Sequence, residues 1–176
     1  DNYLTPASSV PQLCAQLRTD DPSVLPEDPY YEYFEPDVPN SCRLEIAEAL
    51  LQNTVVRRIV VEIGNYDELS ANAMAKYLAH SKHLLSVELS HDSIDEMDYP
   101  HQQFLSSFLE AIGQSNSITE LSLIRLEFGI VNESFENLLT RTKSLRILRI
   151  DMKEQEPLLE AKTAAFIATG LSKNAT

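Results

Sequence analysis

Residues 50–61 read LLQNTVVRRIVV and contain the end of a helix, a bend and the start of a strand. Leu50 is followed at fixed steps by the polar Asn53, by Val56 and by the alternating pair Ile59 and Val61. Alternation of apolar residues at a period of two is typical of a strand with one buried face. The stretch therefore predicts a helix that ends before Asn53 and a strand over 56–61.

The same spacing recurs along the chain. An internal repeat of this kind is the sequence signature of a fold built from stacked units. The repeating unit is apolar-x-x-x-Leu-x-x-(Asn/Ser/Thr)-x-x-Leu-x-x-Leu-x-Leu. Its further copies contain Leu78, Ser81, Leu84, Val87 and Leu89; Ile112, Ser115, Ile118, Leu121 and Leu123; and Leu139, Thr142, Leu145, Leu148 and Ile150. A fifth copy begins with Leu171 and Asn174 and stops at Thr176, where we expect the repeat region to be truncated.

Each half of the unit has a physical interpretation. Apolar residues four positions apart form the buried stripe of a short helix. Asn, Ser and Thr side chains can bond backbone groups where such a helix ends. Units follow one another at intervals of 27 to 34 residues, so a helix fits between successive strands. We therefore predict four adjacent parallel strands in chain order, over 56–61, 84–89, 118–123 and 145–150.

The junction ALLQNTVVRRIVV at 49–61 resembles the helix-to-strand junction of ribonuclease-inhibitor-like leucine-rich repeats, and GLSKNAT at 170–176 resembles the start of another. Tropomodulins carry a similar, less regular repeat, which the junction resembles nearly as well. The chain departs from the ribonuclease-inhibitor pattern after each strand, where an Asn or Cys is usual; Gly64, Asp92, Leu126 and Lys153 stand there instead.

The resemblance implies an α/β fold. It would be a leucine-rich repeat solenoid, a right-handed superhelix of βα units with a parallel sheet on the concave side and helices on the convex side. Neighbouring units must stack in such a fold, because a single unit cannot bury its own apolar face.

Residues 1–42 differ in composition from residues 43–176. They hold eight acidic residues and one basic residue, Arg18, together with seven of the nine prolines. We expect an acidic, proline-rich N-terminal segment over 1–42 that acts as a cap or a tail, and a leucine-rich repeat domain over 43–176. A short helix near 9–18 and an aromatic cluster would cover the first repeat; they contain Val10, Leu13, Cys14 and Leu17, and Tyr30, Tyr31, Tyr33 and Phe34. The alternative is a flexible tail that docks onto a partner under the control of tyrosine phosphorylation.

Charge and composition narrow the classes of partner. The net charge of −13 repels phosphate backbones, so neither nucleic acid nor an anionic membrane is an expected partner. No apolar run is long enough to span a membrane. Cys14 and Cys42 are too few for a disulfide framework or a zinc site, and we expect reduced thiols in a cytoplasmic protein.

The sequence contains only incomplete motifs for catalytic and metal sites. His80 and His83 are spaced for one metal ion, yet no third ligand accompanies them at a motif spacing. The acidic stretch over 92–98 lacks the turn glycine of a calcium loop and carries Ile94 where an oxygen ligand would stand. The chain contains no nucleophile elbow, phosphate-binding loop or dinucleotide fingerprint. We expect no enzyme activity, no cofactor and no metal.

A protein partner remains the best candidate, and the strand alternation predicts which side chains face it. Positions between the buried ones would line the concave side of the sheet. They are Arg58, Val60, Glu62, Ser86, Glu88, Ser90, Glu120, Ser122, Ile124, Ile147, Arg149 and Asp151. From these we select as partner-binding residues Arg58, Glu62, Glu88, Glu120, Ile124, Ile147, Arg149 and Asp151. Their mixture of both charges with exposed aliphatic residues is compatible with a protein interface.

The expected function is that of a protein–protein interaction module that binds its partner on the concave face or rim. Two alternatives stay open. The chain could be the recognition arm of a larger enzyme or signalling protein, or a tropomodulin-like actin-binding repeat domain. The partner's identity and the oligomeric state are not specified by the sequence.

Overall fold

The computed structural model describes residues 6–21, 39–91, 99–126, 132–151 and 157–174, in which helices and strands alternate from the second helix onward. The helices are α1 (Pro6–Arg18), α2 (Asn40–Leu50), α3 (Glu68–His80), α4 (Tyr99–Gln114), α5 (Asn132–Arg141) and α6 (Pro157–Asn174). The strands are β1 (Arg58–Glu62), β2 (Ser86–Ser90), β3 (Glu120–Ile124) and β4 (Ile147–Asp151), and a 3-10 turn over Ile63–Asn65 follows β1. The aromatic cluster near residue 30 and the acidic stretch over 92–98 lie outside the described residues.

The four strands form one parallel sheet in the order β1-β2-β3-β4, which confirms the predicted α/β class and strand order. The register is constant: Ile59 pairs with Val87, Val87 with Leu121, and Leu121 with Leu148. Each strand begins two residues later than predicted and ends one residue later, because the first apolar residue of each predicted strand belongs to the preceding bend.

The polar residue of each unit holds this bend. The Asn53 Oδ1 atom accepts hydrogen bonds from the backbone N–H groups of Val55 at 3.0 Å and Val56 at 2.7 Å. The hydroxyl oxygens at the three equivalent positions accept from the residue three places on. These bonds join Ser81 to Leu84 at 3.1 Å, Ser115 to Ile118 at 3.4 Å and Thr142 to Leu145 at 3.3 Å. The predicted role of Asn, Ser and Thr at the junction is confirmed.

The helices form a second layer on one face of the sheet, with each helix against the next in chain order. Ile59, Val61 and their counterparts on β2 and β3 point toward the helices and lie in one apolar cluster with Met74, Leu78 and Phe108. Burial of this layer is the main stabilising contribution to the fold. At the β4 end the apolar residues Leu145, Leu148, Ile150 and Ile167 are half-buried and pack against the same cluster.

Helix α1 belongs to this helical layer and packs on α2. Its residues Val10, Leu13, Cys14 and Leu17 are buried, so the predicted short helix is present with the predicted face inward. The side-chain amide of Asn53 donates to the carbonyl oxygen of Leu17 at 2.9 Å. The Asp20 carboxylate accepts from the Thr54 backbone N–H at 2.6 Å and from the Thr54 hydroxyl at 2.5 Å. Three polar bonds thus tie the end of α1 to the first complete unit.

Asp20 itself adopts a left-handed backbone with φ of 53°. The backbone N–H of Asp21 donates across it to the Gln16 carbonyl oxygen at 3.0 Å, which is the bond that closes a helix in a Schellman motif. This geometry turns the chain out of α1 and leaves the Asp20 carboxylate facing Thr54.

Helix α3 begins with a reciprocal cap. Asp67 accepts from the Ser70 backbone N–H at 2.9 Å, and the Asp67 backbone N–H donates to the Ser70 hydroxyl at 3.1 Å. The hydrogen bonds from the Ser70 hydroxyl and backbone lower the pKa of Asp67. The cap fixes the point at which the chain leaves the edge of the sheet and enters the helical layer.

Candidate protein interface

The face of the sheet that points away from the helices carries twelve side chains in three rows, and we refer to it as the open face. The register gives the amino-end row Arg58, Ser86, Glu120 and Ile147, and the middle row Val60, Glu88, Ser122 and Arg149. The carboxyl-end row is Glu62, Ser90, Ile124 and Asp151. All eight predicted partner-binding residues therefore share one face.

Solvent exposure differs among the side chains of the open face. Arg58, Ile147, Arg149 and Asp151 are exposed, whereas Val60, Glu62, Glu88, Glu120 and Ile124 are half-buried. The prediction that Val60 and Ile124 are exposed is therefore wrong, because both are half-buried. Ser90 and Ser122, also predicted to face a partner, are buried at 8% exposure each. Both serines are short and stand between longer neighbours on adjacent strands, which shield them from solvent.

Two diagonal ion pairs cross the open face. Arg58 Nη2 lies 3.5 Å from Glu88 Oε2, one strand away and one row down. Arg149 Nη1 lies 3.8 Å from Glu120 Oε2 on the neighbouring strand. The four charged side chains in these pairs are all at least 28% exposed, so solvent screens each pair and its contribution to stability is small. The two pairs instead determine where positive and negative charges lie on the open face.

The carboxyl-end row has a different polar arrangement. The Glu62 Oε2 atom accepts a hydrogen bond from the Ser90 hydroxyl at 2.8 Å, which holds the carboxylate on the open face. On the other side of the row, the backbone N–H of Arg125 donates to the Asp151 carbonyl oxygen at 2.6 Å. Arg125 has a left-handed backbone, φ 55°, just after the end of β3. Ile124 lies between Ser90 and Asp151 in this row.

Two buried polar side chains near α2 and α3 were not predicted. Arg43 is 3% exposed and donates from Nη1 to the Asn40 Oδ1 atom at 2.6 Å. Burial lowers the pKa of Arg43 and raises the pKa of the fully buried Tyr66 far above its usual value. The Tyr66 ring meets that of Phe108 edge to face at 5.6 Å between centroids. The helical spacing from Arg43 to Ile46 and Leu50 is the signal that could have placed Arg43 on the buried face.

Of the other candidate sites, the structure describes the histidines and the cysteines but not the acidic stretch over 92–98. Within the ranges that the structure describes, no group of three or more His, Cys, Asp or Glu residues is arranged to hold a metal ion. The His80 Nδ1 atom lies 2.9 Å from the Lys76 carbonyl oxygen in its own helix. Cys14 and Cys42 are both free, and burial raises the pKa of the Cys14 thiol to about 11. No described helix is both long enough and apolar enough to cross a bilayer.

Comparison with known proteins identifies the fold. No family model matches the sequence, and no curated protein matches it. Among solved structures, the chain is similar to leiomodin-1 actin-binding site 2, with a TM-score of 0.62 and 19% identity over 92% of this chain and 89% of that one. It is also similar to the C-terminal domain of Caenorhabditis elegans tropomodulin, with a TM-score of 0.59 and 12% identity over 93% and 94% of the two chains. The chain therefore shares the α/β fold of these tropomodulin and leiomodin domains.

Proposed function

We propose that the chain is a protein-binding module and that it holds its partner on the open face of the sheet. The observation that carries this proposal is the placement of Val60, Ile124 and Ile147 among charged side chains on one continuous face. Aliphatic side chains within a ring of charged groups are the usual composition of a protein interface. The open face would be the concave surface of a ribonuclease-inhibitor-like solenoid.

The fold itself supports this proposal. Parallel strands in chain order, with all helices on one side, are the arrangement expected of stacked repeats, and such stacks expose an extended surface that partners use. We further propose that the chain has no enzyme activity and uses no cofactor. In support, the charged residues of the open face pair with each other in Arg58–Glu88 and Arg149–Glu120 rather than around a common reacting centre.

The two ion pairs permit a sharp test. Exchanging the partners in a pair, as in Arg58→Glu with Glu88→Arg and Glu120→Arg with Arg149→Glu, keeps both internal pairs and the net charge while it inverts the charge pattern that a partner meets. The fold should therefore survive. A matched control exchanges Lys173 and Glu136, which form an ion pair between α6 and α5 in the helical layer.

The measurement is quantitative capture from a cell extract with immobilised wild type, open-face exchange and control exchange. Proteins that bind the open face are retained by wild type and by the control and are lost from the open-face exchange. If every retained protein binds all three baits equally, the open face is not the interface.

A second candidate function is actin binding. One observation favours it. Leiomodin-1 actin-binding site 2 is similar in fold to this chain, and the similarity extends over about nine tenths of both chains. Co-sedimentation with filamentous actin and a polymerisation assay with monomeric actin test this candidate directly. An effect that disappears with the open-face exchange would make actin the partner of the proposed interface. If actin shows no effect in either assay, the partner is a different protein. The chain would then bind that partner on its own or as part of a larger signalling protein.

A further inference from the structure

We propose that the edge of the sheet formed by its four helix-to-strand bends is a second binding surface, which takes an acidic segment of a protein partner. The bends comprise residues 51–57, 81–85, 115–119 and 142–146, and we refer to them together as the bend edge. Carboxylates of the segment would lie on Lys82, Lys143 and Arg146, and an aliphatic side chain would lie on Leu85. The bend edge adjoins the open face, but its proposed role does not rest on the function of that face.

Acidic and basic residues are distributed unevenly around the sheet. The whole chain has 27 acidic and 14 basic residues, yet the four bends contain no acidic residue. They contain four bases, Arg57, Lys82, Lys143 and Arg146. Because the strands are parallel and in constant register, all four bends lie at the same edge of the sheet. The bend edge is therefore a basic surface on an acidic protein.

Three of these bases have no counter-charge among the residues that the structure describes. Lys82, Lys143 and Arg146 are exposed, and their side chains form no ion pair or hydrogen bond with those residues. Arg57 differs, because its Nη1 atom donates to the Thr54 carbonyl oxygen at 2.7 Å and its charge contributes to the lowered pKa of Asp20. An acidic segment would therefore meet uncompensated positive charge at the bends before β2 and β4.

The helix dipole explains only part of this distribution. The negative end of the dipole attracts basic residues to the last turn of a helix and to the residues just after it. This effect favours a base at every bend, yet neither α2 nor α4 has a base in its last turn, and the bend between α4 and β3 has none at all. Asn116 stands there at the position that Lys82 and Lys143 occupy in their own bends. The unpaired bases are thus concentrated on two bends that flank a neutral, polar one.

Hydroxyl groups tie the bends to one another. The Ser117 hydroxyl donates to the Ser81 carbonyl oxygen at 2.7 Å, and the Ser144 hydroxyl donates to the Ser115 carbonyl oxygen at 3.1 Å. Each bond joins the bend of one unit to the bend of the unit before it. A surface whose backbone is held in place before binding loses less conformational entropy when a partner docks. The bend edge is therefore a preorganised surface rather than a row of independent loops.

Leu85 supplies an apolar contact beside the bases. Its side chain is 44% exposed, and it lies in the same bend as Lys82. The Leu85 carbonyl oxygen accepts from the Thr119 backbone N–H at 2.8 Å, and the Thr119 carbonyl oxygen accepts from the Arg146 backbone N–H at 2.9 Å. Leu85, Thr119 and Arg146 therefore occupy equivalent places in consecutive bends. An exposed leucine in such a row fits a segment that carries an aliphatic side chain among acidic ones, since the charges on the two sides are then complementary.

The extent of the bend edge favours a short acidic segment over nucleic acid. Adjacent strands lie about 4.8 Å apart, so β2 and β4 begin about 10 Å apart. Each strand of a nucleic acid duplex carries a charge about every 3.4 Å and continues in both directions. Most of its phosphates would lie beyond the bends, against a chain whose net charge is −13. An acidic segment of a few residues can span the bases and end where they end.

The test uses a capped peptide with the core Glu-Glu-Leu-Ser-Glu-Glu as its probe. One control peptide, with the core Gln-Gln-Leu-Ser-Gln-Gln, has no charge, and a second, with the core Glu-Glu-Ser-Ser-Glu-Glu, has no leucine. A single-stranded oligothymidylate of six nucleotides is the nucleic acid control. The complete chain, labelled with ¹⁵N, is titrated with each probe while the backbone amide signals are followed by NMR. The titrations are made at low ionic strength, because salt screens exposed charges.

We expect the acidic peptide to shift the amide signals of the bend edge more than those of the carboxyl-end row. It should bind several-fold more tightly than the uncharged peptide and the oligothymidylate. Replacement of Leu85 by Ala should weaken the acidic peptide about twofold and leave the peptide without leucine unchanged, since only the first peptide can contact that side chain.

Two charge-matched double variants complete the test. The variant Lys82→Gln/Lys143→Gln removes two bases of the bend edge, and Arg18→Gln/Lys76→Gln removes two exposed bases of the helical layer. Both variants should fold, because Lys82 and Lys143 make no described side-chain contact and the Arg18–Glu45 ion pair is exposed. We expect about a fivefold loss of affinity for the acidic peptide in the first variant and a loss of about twofold or less in the second, from the usual strength of exposed charge pairs.

Equal losses in the two variants, equal binding of the charged and uncharged peptides, or signal shifts centred on the carboxyl-end row would each overturn the proposal. Oligothymidylate that binds the bends as tightly as the acidic peptide would overturn it too, because the surface would then select phosphate. The open-face exchange changes no residue of the bends, so it should leave binding of the acidic peptide unchanged. Capture that is insensitive to that exchange would remove the proposed function and leave the bend edge as the binding surface.

Discussion

The side-chain amide of Asn53 joins two successive helices of the chain, because its Nδ2 atom donates to the Leu17 carbonyl oxygen at 2.9 Å. Its Oδ1 atom meanwhile accepts from the backbone N–H groups of Val55 and Val56 in the bend before β1. Asn174 repeats the first half of this pattern, since its Nδ2 atom donates to the Leu139 and Thr142 carbonyl oxygens at 2.6 and 2.9 Å. One carboxamide therefore holds the bend between a helix and a strand and connects neighbouring units.

Replacement of Asn53 by Ala should cost more stability than the same replacement at Thr142. Asn53 is 6% exposed and its loss leaves three backbone groups without their described partner, whereas Thr142 accepts one bond, from Leu145. We expect a loss of about 2–3 kcal/mol for Asn53→Ala and about 1 kcal/mol for Thr142→Ala. Urea unfolding followed by circular dichroism measures both. Equal losses would show that the carboxamide does not connect the units.

Truncation of a leucine in the core of the sheet should cost far more stability than truncation of a leucine in an exposed bend. Leu121 on β3 is fully buried, and Leu85, which precedes β2, is 44% exposed. Leu121→Ala should lower the free energy of unfolding by about 2–5 kcal/mol, since it removes a buried side chain and leaves a cavity. Leu85→Ala removes the same atoms and should change it by less than about 0.5 kcal/mol. Thermal and urea unfolding of the two variants would contradict the packing if their losses were similar.

Gly170 allows α6 to approach α5 closely. A Cβ atom at residue 170 would lie 2.7 Å from Leu139 Cβ and 3.3 Å from the Glu136 carbonyl oxygen, which is too close without movement of a helix. Gly170→Ala should therefore destabilise the protein by about 1–3 kcal/mol, although alanine favours the helix itself. At Gly64 a Cβ would find ordinary contacts of 3.6 Å or more, so Gly64→Ala is the control and should be nearly neutral. Differential scanning calorimetry separates the two outcomes.

The Asp20 carboxylate should hold α1 against the first unit, and the buried Cys14 thiol can report on this contact. Hydrogen bonds from Thr54 lower the pKa of Asp20, so the carboxylate stabilises the docked helix above the ordinary Asp pKa of about 3.9. That stabilisation is lost as the pH falls through the lowered pKa of the folded state. Near neutral pH, Asp20→Asn should speed the reaction of Cys14 with a thiol reagent.

The measurement is made with Cys42→Ser present, so that Cys14 alone reacts. Thr54→Val should act in the same direction as Asp20→Asn, because it removes the donor hydroxyl. Glu48→Gln is the charge-matched control, since Glu48 is exposed on α2. A Cys14 reaction rate that is unchanged in Asp20→Asn would mean that α1 is held by its apolar face alone.

The strands and bends could be predicted from sequence because every copy meets the same local requirement. A polar oxygen must accept from the backbone N–H three residues on, and Asn53, Ser81, Ser115 and Thr142 all supply one. The helix of the N-terminal segment was also predicted, together with its position against the first repeat, but its match to the spacing of the repeat was not. Leu13, Leu17 and Asp20 have the spacing of Ile46, Leu50 and Asn53, yet Asp stood outside the consensus. The apolar positions of the unit do not follow it either, since Ser23, Pro26 and Asp28 stand there.

The composition of the open face could be predicted, but its internal pairing could not. Alternation along each strand places Arg58, Glu88, Glu120 and Arg149 on one side whatever their conformations. Which arginine reaches which carboxylate depends on side-chain rotamers that carry no signature in the sequence. The burial of Ser90 and Ser122 was not predicted either. It results from the size of the neighbouring side chains on adjacent strands, which alternation along one strand does not reveal.

The order of contacts also has a mechanical consequence. Helix touches helix, and strand touches strand, mainly between neighbours in chain order. Tension applied to the two ends of the described chain would therefore pass through the boundaries in series, so that units can separate one after another rather than all together. A unit of roughly 30 residues released in this way would lengthen the molecule by on the order of 100 Å. The extension recorded in an optical trap should then increase in successive steps, each equal to the length of one unfolded repeat.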